Sequence, residues 1–208
     1  MAVCTVCVCV SQLPGIRDAY KDTGLFIDMG IYTSHEKKHC FLWVGDKHSG
    51  KTTAVAELAE CVRQQGYNVG GILAPSIYKD GWLVGFDIID INNNIRIPLA
   101  VRDEKRADIG PFRYSHSGVE LGRSALSIDE NQASQMVIVD EYGPWELEGK
   151  GWREEVDCLL KESNLLTLLV VRRELAQKVR EMYADYIDVL LEALEPDSIE
   201  IMLSRLSV

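Results

Sequence analysis

The residues that most constrain this chain are Gly45-Asp46-Lys47-His48-Ser49-Gly50-Lys51-Thr52, a complete G-x-x-x-x-G-K-[ST] pattern. The pattern carries weight only between a strand and a helix, and both flanks are suitable. Cys40-Phe41-Leu42-Trp43-Val44 is a short apolar run suited to a buried strand, and Val55, Leu58, Ala59 and Val62 then recur at helical spacing. Gly45 and Gly50 let the backbone curl so that successive N–H groups face a phosphate, with the positive end of the helix behind them. The expected phosphate cradle comprises Gly45, Asp46, Lys47, His48, Ser49, Gly50, Lys51, Thr52 and Thr53. Within it Lys51 reaches the β- and γ-phosphates and acts in catalysis, while the Thr52 hydroxyl enters the shell of a Mg²⁺ ion.

A length of 208 residues suits one domain with a sizeable core, and a hydrophobic fraction of 47% lies in the globular range. The formal net charge of −10 argues against a general nucleic-acid surface, so nucleic acid is not expected as a partner. An acidic chain still binds an anionic nucleotide if one loop and a metal ion supply local positive potential. No apolar run is long enough to cross a bilayer, and Ala2–Val10 lacks the basic start of a secretion signal. The expectation is a cytoplasmic protein with no membrane partner, its six cysteines held as thiols.

Residues 1–37 form an extension of unclear role ahead of a domain over 38–208. In the extension Cys4, Val6, Val8 and Val10 alternate with Thr5, Cys7 and Cys9, as in a strand. Cys4, Cys7 and Cys9, with His35, His39 or Cys40, could ligate a metal, but alternation sends Cys4 to one face and Cys7 and Cys9 to the other. Buried strand cysteines are the plainer alternative, and the extension also offers a place for a protein partner. Past the first helix, which Gly66 ends, Asn68–Ala74 reads as a second core strand. Asp80-Gly81 between Ser76–Lys79 and Trp82–Ile89 is a hairpin signal, and Asn92-Asn93-Asn94 leads into Ile95–Val101. These three extended pieces make an antiparallel meander, with Pro98 marking an edge or a bulge. Residues 102–135 are polar and are expected as a mobile segment over the nucleotide, with a helix over 119–133.

Met136-Val137-Ile138-Val139 is a continuous apolar run ending in Asp140-Glu141. Trp152, Val156, Leu159 and Leu160 then mark a helix, Leu165–Val171 a buried strand, and Leu175, Val179 and Met182 another helix. Ile187–Leu194 is a last strand and Pro196–Leu206 a terminal helix. Strands alternating with helices predict a three-layer α/β fold around a mainly parallel sheet, with the meander inserted.

A carboxylate ending a buried strand is where a phosphate-loop enzyme holds its metal, which assigns Asp140 to Mg²⁺ beside Thr52. On a regular strand Glu141 points the other way, but at the carboxyl edge it can turn toward the γ-phosphate and orient or deprotonate a water. Arg172, at the end of the next strand, could stabilise charge on the γ-phosphate or serve in a salt bridge or at a helix start. Arg113 and Arg102 are further candidates for that assistance. Trp145 and Trp82 are candidates for base stacking or a lid, with packing as the alternative.

The loop, Gly70-Gly71-Ile72-Leu73, Gly85-Phe86-Asp87, Pro98-Leu99-Ala100-Val101-Arg102 and Val139-Asp140-Glu141-Tyr142-Gly143-Pro144-Trp145-Glu146-Leu147 together resemble a known family. It is the small nucleoside-triphosphatase family first known from thermophiles, also called cancer-related nucleoside-triphosphatase. The resemblance spans about residues 40–205 and implies an ATPase/RecA-like sheet, with the Asp-Glu strand separated from the loop strand by a later one. It also implies slow, base-tolerant, Mg²⁺-dependent release of phosphate from ATP, GTP and other nucleoside triphosphates, with Asp140 and Glu141 as the metal and water-activating carboxylates. Three features depart from that family's usual pattern: Ala74-Pro75-Ser76 in place of a Thr-Glu-Glu type run, Tyr142 in place of an aliphatic residue, and residues 1–37. Two rivals remain: a nucleotide or small-molecule kinase, whose acceptor pocket the meander and residues 102–135 could build, and a nucleotide-dependent switch or assembly factor.

Overall fold

A computed structural model describes residues 39–108, 110–163, 165–193 and 195–206. The expectations for residues 1–37 therefore lie outside the described residues. The loop strand, β1 (Cys40–Gly45), is buried from end to end. Its period-2 alternation sends Cys40, Leu42 and Val44 into one apolar layer and Phe41 and Trp43 into another. The sheet therefore has a core on both faces.

In chain order the remaining elements are α1 (Lys51–Gln64), β2 (Val69–Leu73), β3 (Ser76–Lys79), β4 (Trp82–Asp90), β5 (Ile95–Arg102), β6 (Phe112–Tyr114), α2 (His116–Ala125) and β7 (Met136–Tyr142). They are followed by α3 (Pro144–Leu147), α4 (Arg153–Glu162), β8 (Leu166–Arg172), α5 (Arg173–Met182), β9 (Ile187–Glu192) and α6 (Pro196–Leu206). Among the described residues the sheet has nine strands, in the order β6-β5-β4-β2-β7-β8-β1-β9, with β3 paired to β4 off that path. Neighbours from β2 to β9 run parallel, whereas the β2–β4, β3–β4, β4–β5 and β5–β6 pairs are antiparallel. This is the expected layered α/β fold with an inserted meander, and β8 separates the loop strand from the Asp-Glu strand.

Helical spacing explains the two layers. Val55, Leu58 and Val62 of α1 and Met202 of α6 join Phe41 and Trp43. Val156, Leu159 and Leu160 of α4 and Ala176 and Val179 of α5 join Cys40, Leu42 and Val44. Each of the larger side chains removed from water in this way contributes about 1.5–3 kcal/mol.

Residues 102–135 differ most from expectation. Rather than a mobile cover, they supply an edge strand, β6, and a helix, α2, packed on the meander. Ser115 caps α2 by accepting from the Gly118 N–H at 3.3 Å. The helix stops at Ala125 rather than running to 133, because the Asn131 side-chain amide donates to the Ala125 carbonyl at 2.8 Å and to the Ser127 carbonyl at 2.8 Å. Pro98 sits where the β4–β5 register shifts, between the pairs Phe86–Ala100 and Asp87–Pro98. The β6 pairing begins only at Ala100, so the missing N–H of Pro98 interrupts no ladder there.

The junction of meander and parallel sheet depends on Gly71. It has φ +96°, and a Cβ there would lie 2.1 Å from the Ile138 carbonyl oxygen of β7. Gly66 has a similar φ of +88° but faces open space. Gly71→Ala should cost about 2–4 kcal/mol, the sum of left-handed strain and overpacking, and Gly66→Ala only about 1 kcal/mol. Chemical denaturation of both variants measures the difference; equal losses would contradict the close approach of β2 to β7.

Candidate active site

The loop after β1 leaves its strand with Gly45, beside which a Cβ would press at 3.0 Å on both the Lys51 Cγ and the Ser49 Oγ. His48 at φ +61° and Gly50 at φ +90° supply the left-handed turns that curl the backbone. Lys51, only 6% exposed, donates from Nζ to the Asp46 carbonyl at 2.8 Å. That contact holds its ammonium over the loop. The Ser49 Oγ is buried with no hydrogen-bond partner among the described residues, an orphan polar atom in the cradle wall. Arg173, at the start of α5, ties the outside of the loop to the sheet. Its Nε donates to Asp46 at 2.9 Å and its two terminal nitrogens grip Glu192 at 2.7 Å each. Because this pair is exposed, its worth is small and lies in placement.

The carboxyl end of β7 meets the loop. Asp140 is fully buried and accepts from the Ala74 N–H and from the Glu141 N–H, each at 3.0 Å. The Thr52 hydroxyl, a further donor, lies close enough to favour its charged form. Burial, and then the neighbouring Glu141 charge, push Asp140 up to about 6, against the pull of these three donors. Glu141 has φ +60°, and the β7–β8 register is irregular between Val139 and Tyr142. The left-handed turn removes Glu141 from strand alternation. Its side chain lines a cleft of about 310 Å³ together with Ser49, Lys51, Thr52, Thr53 and Tyr78. The Asp-Glu pair thus stands beside the loop, Asp140 near Thr52 and Glu141 in the lining of the shared cleft.

Of the candidate arginines, only Arg172 is brought here: its Nη2 lies 3.4 Å from the Glu141 Oε2, and both side chains are about one-third exposed or less. Arg172 also stands at the N-cap position of α5, so the salt-bridge and helix-start alternatives both hold. Arg113 pairs with Asp103 and Arg102 with Glu104, away from the cleft lining. Trp82 is 75% exposed at the β3–β4 turn and lines neither the cleft nor the space beside it. Trp145 does line an adjoining apolar cavity of about 230 Å³, which also includes Lys47, Glu141 and Arg172.

Several contributors are silent in the sequence. Ala74 acts through its backbone N–H, which any residue but proline provides. Tyr78 approaches the loop through a 3.3 Å contact of its hydroxyl with His48 Nδ1. Glu146, 2% exposed, accepts from the Gly143 N–H at 2.9 Å and the Trp152 N–H at 3.4 Å, and so closes the turn after Glu141. The unexpected Tyr142 is anchored by a 2.8 Å hydrogen bond between its hydroxyl and that of Tyr183, which donates on to Asp157 at 2.7 Å.

Thr52 and the buried Asp140 suit a hard divalent ion, and the orphan Ser49 hydroxyl and the glycine-walled cradle suit phosphate oxygens. Among the described residues no cluster of three or more His, Cys, Asp or Glu could hold a metal alone. Phosphate oxygens and water would have to complete the shell, as Mg²⁺ at nucleotide sites requires.

A phosphate loop, a carboxylate strand two places away and a parallel sheet joining them define a P-loop α/β nucleotide-binding domain. The chain belongs to the family described as NTPase, whose sequence model matches residues 41–197. It is 32% identical over 145 residues to nucleoside-triphosphatase THEP1 of Methanothermobacter thermautotrophicus, covering 67% of this chain and 80% of that protein. The THEP1 of Methanopyrus kandleri is 34% identical over 119 residues, 57% of this chain and 65% of its own length. Among solved structures, a human cancer-related nucleoside triphosphatase superposes with TM-score 0.62 at 19% identity, over 81% of this chain and 96% of that one. THEP1 from Aquifex aeolicus gives TM-score 0.58 at 19% identity, over 80% and 95%. At that identity the two structures bear on the fold alone. Among the described residues no helix is long and apolar enough to cross a membrane.

Glu146 yields a pH prediction. Burial raises it from 4.5 to about 7, so its protonated form is favoured in the folded state. The stability this provides is complete below the ordinary carboxyl range and is lost as pH rises through about 7. Glu146→Gln removes the titration. The stability of the native chain relative to this variant should fall by about 2–3 kcal/mol between pH 4 and pH 8. Parallel pH–stability curves in urea would contradict the burial of this carboxyl.

Proposed function

We propose that the cleft binds a nucleoside triphosphate with Mg²⁺ and hydrolyses the bond to its terminal phosphate. The observation that carries this reading is the cleft that brings Lys51 and Thr52 of the loop together with Glu141, beside the buried Asp140 at the end of β7. Family membership and the names of the THEP1 relatives support the same reaction class. The loop N–H groups from Gly45 to Thr53 and the Lys51 ammonium hold the phosphates, and Thr52 and Asp140 hold the ion. When bound, Mg²⁺ supplies positive charge to the β- and γ-phosphate oxygens. Glu141 orients a water toward the γ-phosphorus and accepts its proton, while Arg172 steadies Glu141 and faces the charge that shifts during transfer. Nothing in the cleft selects a base by name, so ATP and GTP are both assigned as substrates.

We assign residues 38–208 to this domain and residues 1–37 to an extension available to a protein partner. Cytoplasmic residence is part of the same proposal and fits cysteines kept as thiols; Cys40 and Cys158 form no disulfide.

Phosphate release from purified protein with Mg²⁺ and ATP or GTP tests the reading. Glu141→Gln should lower kcat by about 10²–10⁴ with KM little changed, because it removes proton acceptance and leaves the phosphate contacts. Lys51→Ala should instead weaken nucleotide affinity together with turnover. Undiminished turnover in Glu141→Gln would overturn the assignment of the water-activating carboxylate.

A further inference from the structure

Glu141 borders two spaces. It lines the phosphate cleft with Lys51 and Thr52, and it also lines the apolar cavity of about 230 Å³ next to it. Among the described residues no other lines both. On the hydrolytic reading above, Lys51 reaches the β- and γ-phosphates and Glu141 stands at the γ end, which puts the cavity beyond the terminal phosphate, on the side away from the nucleoside. The substrate's own base is therefore not its occupant, and a single attacking water needs far less room.

The cavity walls indicate what it would hold. They are built from Phe86, Phe112, Tyr114, Trp145 and Trp152. The Tyr114 and Trp145 rings stand 4.7 Å apart, and Phe86 meets Phe112 edge to face at 5.1 Å. The charged residues in its lining are Lys47, Glu141, Glu146 and Arg172. Glu146 lies in the wall, but its two oxygens already serve the Gly143 and Trp152 N–H groups. Such a space binds a flat apolar ring by packing and presents the polar end of its ligand to Glu141.

Resting on the hydrolytic reading above, we propose that this cavity is a phosphoryl-acceptor site for a small aromatic alcohol, whose hydroxyl replaces water in front of Glu141. The hydroxyl oxygen bonds to the γ-phosphorus as the bond from that phosphorus to the β,γ-bridging oxygen breaks. The nucleoside diphosphate leaves with the electron pair, and Glu141 takes the hydroxyl proton and returns it to solvent. The products are a phosphate monoester and the diphosphate, and no oxidant or reductant is needed. Hydrolysis is the same step with water in the hydroxyl's place.

The test incubates the full chain with Mg²⁺, ATP and, in separate reactions, benzyl alcohol, pyridoxine and uridine, with products followed by ³¹P NMR. At least one alcohol should yield its phosphate ester, with ester and inorganic phosphate together equal to the ADP formed. Trp145→Ala and Phe112→Leu should each lower the ester by about tenfold while phosphate release without an alcohol stays near the native rate, which also reports that the variants fold. Inorganic phosphate as the sole product with all three alcohols overturns the acceptor site and leaves hydrolysis standing. Ester formed equally by the native chain and both variants overturns the cavity as its location. Neither product, with ATP still bound, removes the hydrolytic reading and this inference with it.

Discussion

The site depends on one approach between segments nearly ninety residues apart, the Thr52 hydroxyl of the phosphate loop near the buried Asp140, close enough to favour its charged form. Parallel pairing makes that approach possible. Because β8 lies between β1 and β7 and all three run the same way, their carboxyl ends share one edge, with Gly45 opposite Arg172 and Tyr142 opposite Val171. A ligand crevice outside the carboxyl ends of such strands is a general consequence of open α/β sheets. Asp140 is costly to bury as an anion. Two backbone N–H donors and the nearby Thr52 hydroxyl offset part of that cost, and a divalent ion would offset more.

Much of this was legible in the sequence, for identifiable reasons. The loop reads by its glycines and lysine, and β1, β7 and β8 read as continuous apolar runs because both faces of each strand are covered. Asp80-Gly81 marked the β3–β4 turn, where Asp80 and Gly81 adopt the positive φ that such a turn requires. The resemblance carried the strand order, which no local pattern encodes.

What escaped was short or acted through the backbone. A three-residue strand such as β6 and a four-residue helix such as α3 are below the length at which periodicity is visible. Polar composition suggested that 102–135 would be mobile, but Asn131 and Ser115 spend their polarity on the ends of α2 and the turns that follow it. The positive φ of Glu141 was equally hidden. The turn of Glu141 toward the cleft was expected at the carboxyl edge; its means was not, a left-handed residue where β7 breaks register one residue before its end.

The most direct measurement of the central claim is a double-mutant cycle on nucleotide affinity. Thr52→Ala, Asp140→Asn and the double variant would be titrated calorimetrically with ATP, with and without Mg²⁺. If the loop and β7 hold one ion between them, the two substitutions should be non-additive by about 1 kcal/mol or more with Mg²⁺ and additive without it. Strict additivity in the presence of Mg²⁺ would contradict the account.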